Sequence, residues 1–253
     1  MPAELDERKQ KVLKAIIQDY LETAEPVGSR HLSRKYKLGV SPATIRNEMY
    51  DLEEEGYIKQ PHTSAGRVPS DKGYRYYVDN LMKMKSLSLK EEEQIRNIYN
   101  KKMGDLELLV HQTLSTASIL THYATMMTVA GGRRPERVYH FGISNIASQP
   151  EFSDIDHLKS ILKIFDEDRL LTSLLREYSE GEGVNVKIGS ENKFREVKDC
   201  SVVVTSYCTQ GKELGSIGII GPTRMFYNKA ITTIDQIANK LGEFMSHDDL
   251  GEI

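Results

Sequence analysis

The chain has 253 residues, 28% of them charged and 39% hydrophobic, with a formal net charge of −3. Such a length holds two domains with proper cores, and such a composition excludes global disorder. No apolar run reaches membrane-spanning length and the segment from Met1 to Arg8 lacks a signal peptide's apolar core, so a cytoplasmic chain without a membrane partner is expected.

Val12, Leu13, Ile16, Ile17, Tyr20 and Leu21 recur at helical spacing and predict a first amphipathic helix over residues 7–22. Pro26-Val27-Gly28 interrupts it, Ser29 caps a short helix from Arg30 to Tyr36, and Leu38-Gly39-Val40 turns tightly into the next. From Ser41 to Gly56 both stop signals of a helix are in place: Ser41 caps the first turn, Pro42 fits the first helical position, and Gly56 supplies a left-handed stop. Ile45, Met49 and Leu52 form its inward face, leaving Ala43, Thr44, Arg46 and Asn47 outside near the N-terminus. Two short helices joined this closely, with a glycine in the turn, make a helix-turn-helix.

Between Ser29 and Asn47 lie five cations, Arg30, Arg34, Lys35, Lys37 and Arg46, and no acid. The second helix of the pair therefore meets a partner with an unopposed positive field, as a DNA-reading helix does. The net charge hides this: residues 26–75 hold nine basic and six acidic residues, so the rest of the chain is acidic and stays off DNA. Taken alone, the helix pair also fits the surface of a small bundle. The next segment favours DNA. Tyr57-Ile58-Lys59-Gln60 and Arg67-Val68-Pro69 read as short strands around a loop without a carboxylate, a hairpin that forms a wing. Lys59, His62, Thr63, Ser64 and Arg67 are then within reach of phosphates or an adjacent minor groove. Thr44, Arg46 and Asn47 are expected at base edges, with Ser41, Thr63, Ser64 and Arg67 on phosphates.

Ser70 caps a further helix through Tyr74, Tyr77, Val78 and Leu81 that closes a first domain at residues 1–81. Residues 82–130 are expected to hold a linker and a long connecting helix. Ser88-Leu89-Lys90-Glu91 is a capping box whose helix breaks near Gly104. From Asp105 to Met127 the chain reads as one helix of roughly 35 Å. Leu106, Val110, Thr113, Ala117, Leu120, Ala124 and Met127 follow a 4, 3, 4, 3 stagger, a seam that pairs two copies of the chain or packs on its own C-terminal domain. Ala130 to Pro135 is a hinge. Residues 131–253 form a regulatory domain: a strand over Val138–Ile143, helices over Asp154–Phe165 and Arg169–Tyr178, strands at Val184–Ile188 and Ser201–Thr205, a hairpin partner over Glu213–Gly221, and a closing helix over Met225–Met245. The whole is α+β.

Catalytic and metal motifs are missing. Cys200 and Cys208 make no zinc spacing, no HExxH occurs, and His111 and His122 stand roughly 16 Å apart on their helix, so no metal or cofactor is expected. Gly211-Lys212 lacks the rest of a P-loop, and Gly215, Gly218 and Gly221 miss the dinucleotide pattern. Gly221-Pro222-Thr223-Arg224 leads from a strand into a helix and reads as a plain connection or an anion site. No acid/base pair is legible, so the protein is not read as an enzyme. Two rivals stand beside a DNA-binding repressor: a winged-helix sensor whose C-terminal domain binds a small ligand, and a scaffold whose first domain binds protein.

Pro26-Val27-Gly28-Ser29-Arg30, Val40 to Met49, Gln60 to Pro69, Gly73-Tyr74-Arg75, Ser148 to Phe152 and Gly218 to Met225 together resemble the HrcA family of heat-inducible transcription repressors. The resemblance implies a homodimer with an N-terminal winged helix and a C-terminal GAF-like domain, bound to an inverted-repeat operator ahead of chaperone genes. It also implies the chaperonin as a partner that keeps the repressor active until heat diverts it. Members of that family are longer before the stretch matching Arg137-Val138, where this chain has only a hinge, so a reduced GAF-like sheet is expected.

Overall fold

A computed structural model describes residues 5–100, 105–130 and 136–246. The chain divides into two compact units, Met1–Lys83 and Met84–Ile253.

In the first unit, α1 (Glu7–Thr23) starts where the Asp6 carboxylate accepts the N–H groups of Arg8 and Lys9, both at 2.9 Å. In α2 (Ser29–Lys35), Ser29, expected as the cap, is instead the first helical residue; the cap is Gly28, which offers no side-chain bond. The third helix, α3 (Pro42–Glu54), begins as the sequence predicts, with Ser41 Oγ accepting the N–H of Thr44 at 3.1 Å. Past its end Gly56 takes φ +78°, a conformation that costs a side-chain-bearing residue about 1–2 kcal/mol. Strands β1 (Ile58–Lys59) and β2 (Val68–Pro69) pair antiparallel, and α4 (Asp71–Tyr76) runs on into a π-helical turn over Tyr77–Leu81. Leu13, Ile16, Ile17, Leu32, Ile45, Leu52 and Ile58 are fully buried and knit the three helices to the hairpin.

The second unit opens with α5 (Leu89–Tyr99), started by the predicted Ser88–Glu91 capping box, and α6 (Leu106–Thr121). There the sequence reading fails. His122 adopts φ 61° and ends α6, its N–H bonded to the Ser118 carbonyl at 2.8 Å, and Ala124–Val129 continues as strand β3. The 4, 3 stagger carries the predicted helix to Met127, but every residue of β3 is buried, so no alternation marks it as a strand. Val110, Thr113 and Ala117 of the expected seam are buried, and α6 packs on α5 and on the closing helix α10 (Tyr227–Ser246). Residues 89–129 thus supply α5, α6 and β3 to this unit. The hinge at 131–135 and the break near Gly104 lie outside the described residues.

The remaining elements are β4 (Arg137–Phe141), α7 (Ser144–Ala147), α8 (Ile155–Asp166), α9 (Asp168–Tyr178), β5 (Asn185–Ile188), β6 (Cys200–Thr209) and β7 (Lys212–Pro222). All pairings are antiparallel in a five-stranded sheet of order β4-β3-β7-β6-β5. Helices α8 and α9 cover one face over Ala124, Met126, Val202, Val204 and Ile220. The other face meets α6, where Thr125 Oγ1 donates to the Leu114 carbonyl at 2.9 Å, and α10. The architecture is α+β. Gln210 (φ 48°) and Gly211 (φ 77°) turn the β6–β7 hairpin, and Cys200 is buried at the head of β6 while Cys208 is exposed.

Candidate nucleic-acid interface

At 100° per residue the surface of α3 divides into three strips. One faces α1, where Glu48 pairs with Arg8 at 3.4 Å and Lys9 with Asp51 at 3.5 Å and Glu55 at 2.5 Å. A second faces the hairpin and carries Arg46, Met49 and Glu53; the Glu53 carboxylate holds Arg67 of the hairpin at 2.7 Å. The third is an outward crest of Ala43, Asn47 and Tyr50, ending in Glu54, all exposed, with Tyr50 59% accessible. The acids in the C-terminal half of α3 are thus largely neutralised within the unit, while the exposed N-terminal half carries Arg46 and Asn47.

The positive field around this crest is smaller than the sequence suggests. Lys35 Nζ stands 2.8 Å from both Asp19 and Glu22 of α1. Burial would raise the Asp19 carboxyl, but hydrogen bonds from Lys35 and from His31, 2.9 Å away, outweigh it and hold the group below its usual range. Lys35 is therefore spoken for. Arg30, Arg34, Lys37 and Arg46 stay exposed and make no ion pair among the described residues.

The hairpin loop is braced from beneath. Gln60 Nε2 donates to the carbonyls of Thr63 at 3.0 Å and Ala65 at 2.9 Å, leaving His62, Thr63 and Ser64 exposed at the tip. Val27 and Arg67 exchange backbone hydrogen bonds, both 2.9 Å, tying the loop's base to the segment before α2. A Cβ on Gly66 would lie 2.5 Å from the Val27 carbonyl oxygen, so only glycine permits this approach.

Of the eight residues read from sequence, the structure gathers Arg46, Asn47, His62, Thr63 and Ser64 on exposed surface. Ser41 and Thr44 make the helix start, with Ser41 Oγ 3.0 Å from Thr44 Oγ1, and Thr44 is half-buried. Arg67, expected on phosphate, has its guanidinium held by Glu53. Sequence reasoning misses three residues. Tyr50 lies seven positions beyond Ala43 and is found by carrying the helix periodicity one turn further. Arg30 enters the sequence reading only as charge, and Gln60 only as a strand residue, although the carbonyls it braces lie three and five positions on.

Residues 77–231 match the HrcA protein C terminal domain. The chain belongs to the HrcA family. It is 35% identical over 337 residues to the heat-inducible transcription repressor HrcA of Pelotomaculum thermopropionicum, covering 95% of this chain and 97% of that one. To the HrcA of Moorella thermoacetica it is 36% identical over 336 residues, covering 94% and 97%. Membership makes it a heat-inducible transcription repressor. The first alignment exceeds the chain's length, so that relative carries at least 84 residues, 337 less 253, with no counterpart here. A crystal structure described as a hypothetical protein shares the fold, with a TM-score of 0.78 at 21% identity over 96% of this chain and 98% of that one.

Two HrcA-like stretches distant in sequence meet in the second unit. Arg224, after β7, donates through Nε to Glu151 at 2.5 Å and through Nη2 to Gln149 at 3.3 Å. The turn from Gly221 to Arg224 is thereby a braced connection whose cation is already matched. Among the described residues no group of three His, Cys, Asp or Glu is placed to hold a metal, and no helix is long and apolar enough to cross a membrane.

Proposed function

We propose that the first unit of this HrcA repressor is a winged helix that binds an inverted-repeat operator as one half of a homodimer, and that the second unit is a reduced GAF-like regulatory domain. The observation that carries the reading is the division of α3: most of its acids are paired inside the unit, while the crest from Ala43 to Tyr50 holds no acid and stays exposed with unmatched cations around it, Glu54 lying on the same strip only at the far end. A helix so divided enters a major groove by its N-terminal half, with Asn47 and Tyr50 at base edges and Thr44 at the rim. His62, Thr63 and Ser64 on the braced wing, with Ser41 at the helix start, meet phosphates. Half-sites about 34 Å apart require two copies. The chaperonin stabilises the DNA-binding form, and heat lifts repression by drawing the chaperonin to unfolded clients.

Sedimentation of the full chain, alone and with a duplex that it enriches from a randomised pool, tests this. Two chains per duplex and an affinity that falls steeply with salt are expected, with chaperonin raising the bound fraction. Absence of duplex binding at low salt overturns the reading. The small-ligand alternative gains little from the structure: a cleft of about 1050 Å³ in the second unit has a mixed lining, with Glu182, Asp235 and Glu243 beside Tyr207, Cys208 and Ala238, whereas a receptor pocket is mostly apolar.

A further inference from the structure

We infer that Arg30 and Arg46 together seat one backbone phosphodiester of the operator, in the cleft between α3 and the hairpin. The inference rests on the DNA-binding reading and gives Arg46 a role different from the base contact its sequence position suggested. The cleft measures about 350 Å³; Arg30 enters from the first turn of α2, Arg46 from α3, and Ser64 from the hairpin loop, over an apolar floor formed by Met49.

Charge is the first argument. Three other cations of this unit have a carboxylate in reach: Lys9 has Asp51 and Glu55, Lys35 has Asp19 and Glu22, Arg67 has Glu53. Arg30 and Arg46 line one cleft and make no ion pair among the described residues. Two guanidiniums brought together without an acid repel each other, and an anion between them turns that repulsion into attraction. The third arginine of the cleft, Arg67, is already matched, so it neither competes for the anion nor closes the cleft.

Placement is the second. Arg46 lies on the strip of α3 that faces the hairpin, beside Met49 and Glu53, about 100° around the helix from Asn47. With the crest in a major groove, the sugar-phosphate strand bordering that groove passes along this flank, between helix and wing. The planar fork of an arginine grips two phosphate oxygens at once, which suits two such side chains to one phosphodiester better than two lysines. The cleft walls are also fixed, by the Val27–Arg67 backbone pair and the Gln60 brace, so the seat exists before DNA arrives.

Fluorescence anisotropy with the full chain decides the matter, using the duplex it enriches from a randomised pool and a scrambled duplex of equal length. Arg30→Ala and Arg46→Ala each lower affinity about tenfold for both duplexes. The slope of log affinity against log salt falls by less than about 0.9 in either single variant, where the other guanidinium still neutralises the phosphate, and by about 0.9 in the double variant, because both side chains serve one phosphate. Lysine at either position recovers part of the loss, since charge returns without the fork. A double-variant slope change near 1.8 means two separate phosphates and overturns the shared seat. Loss confined to the enriched duplex in Arg46→Ala makes that residue a base reader and overturns it too. Inorganic phosphate that stabilises the wild type but not Arg30→Ala, and displaces neither duplex, assigns the cleft to a free anion instead. Failure of the wild type to enrich any duplex sinks the DNA-binding reading itself, an outcome separate from the other three.

Discussion

Arg67 on the hairpin and Glu53 near the end of α3 are locked through a single carboxylate oxygen, with Nε 2.8 Å and Nη2 2.7 Å from Oε2. Both side chains are mostly shielded, at 20% and 27% accessible, so this pair fixes the angle between helix and hairpin. Replacing Arg67 by alanine is expected to cost the first unit about 1 kcal/mol. The salt slope of DNA binding should stay as in the wild type, because the guanidinium serves Glu53 and not a phosphate. Urea titration and anisotropy at several salt concentrations check the two halves; a slope lower by about one returns Arg67 to the DNA.

Gly66→Ala probes the same hinge from the backbone side. Its new methyl must push Val27 away, since a Cβ there would sit only 2.5 Å from that carbonyl oxygen. A loss of about 1–3 kcal/mol is expected, the range for overpacked sites, with the Val27–Arg67 bridge broken. Amide exchange at Arg67 reports it: faster exchange in the variant is the expected outcome.

In the second unit Arg224 and Glu151 are 11% and 23% accessible, and removing either breaks a shielded ion pair. Arg224→Ala or Glu151→Ala should each destabilise this unit by about 3 kcal/mol. Removing both at once should cost less than the two single losses together. Denaturant melts of the four proteins give the coupling directly.

How far the sequence spoke depended on whether the deciding partner was local. The start of α3 and the Ser88–Glu91 box are set by residues within a few positions, and both were legible. The end of α6 was not. His122 in a left-handed conformation stops the helix without the glycine that usually announces such a stop, and Ala124 and Met127 happen to prolong the stagger. In the interface, exposed positions could be read from helix periodicity, whereas the capture of Lys35 by Asp19 and of Arg67 by Glu53 depends on pairings 16 and 14 residues apart. Charge counted along the chain therefore overstated the charge available to a partner.

Acid should loosen the packing of α5 on α10. Glu91 is bonded to Lys229 and to the backbone and hydroxyl of Ser88, which hold its carboxyl at about 2 against an ordinary 4.5. The folded value lies below the unfolded one, so the ionised group stabilises the fold fully above pH 4.5 and loses that contribution as the pH falls towards 2. Glu91→Gln should accordingly be less stable than the wild type at neutral pH, with the two curves converging near pH 2. Parallel curves across that interval would contradict the assignment.

The central claim is that the crest of α3 reads the operator's bases, and Asn47 tests it most directly. Anisotropy titrations of Asn47→Ala against the enriched and scrambled duplexes should show a loss of about 1–3 kcal/mol on the enriched duplex alone, with the scrambled affinity and the salt slope unchanged. Equal affinity of variant and wild type for the enriched duplex, or an equal loss on both duplexes, would contradict the account.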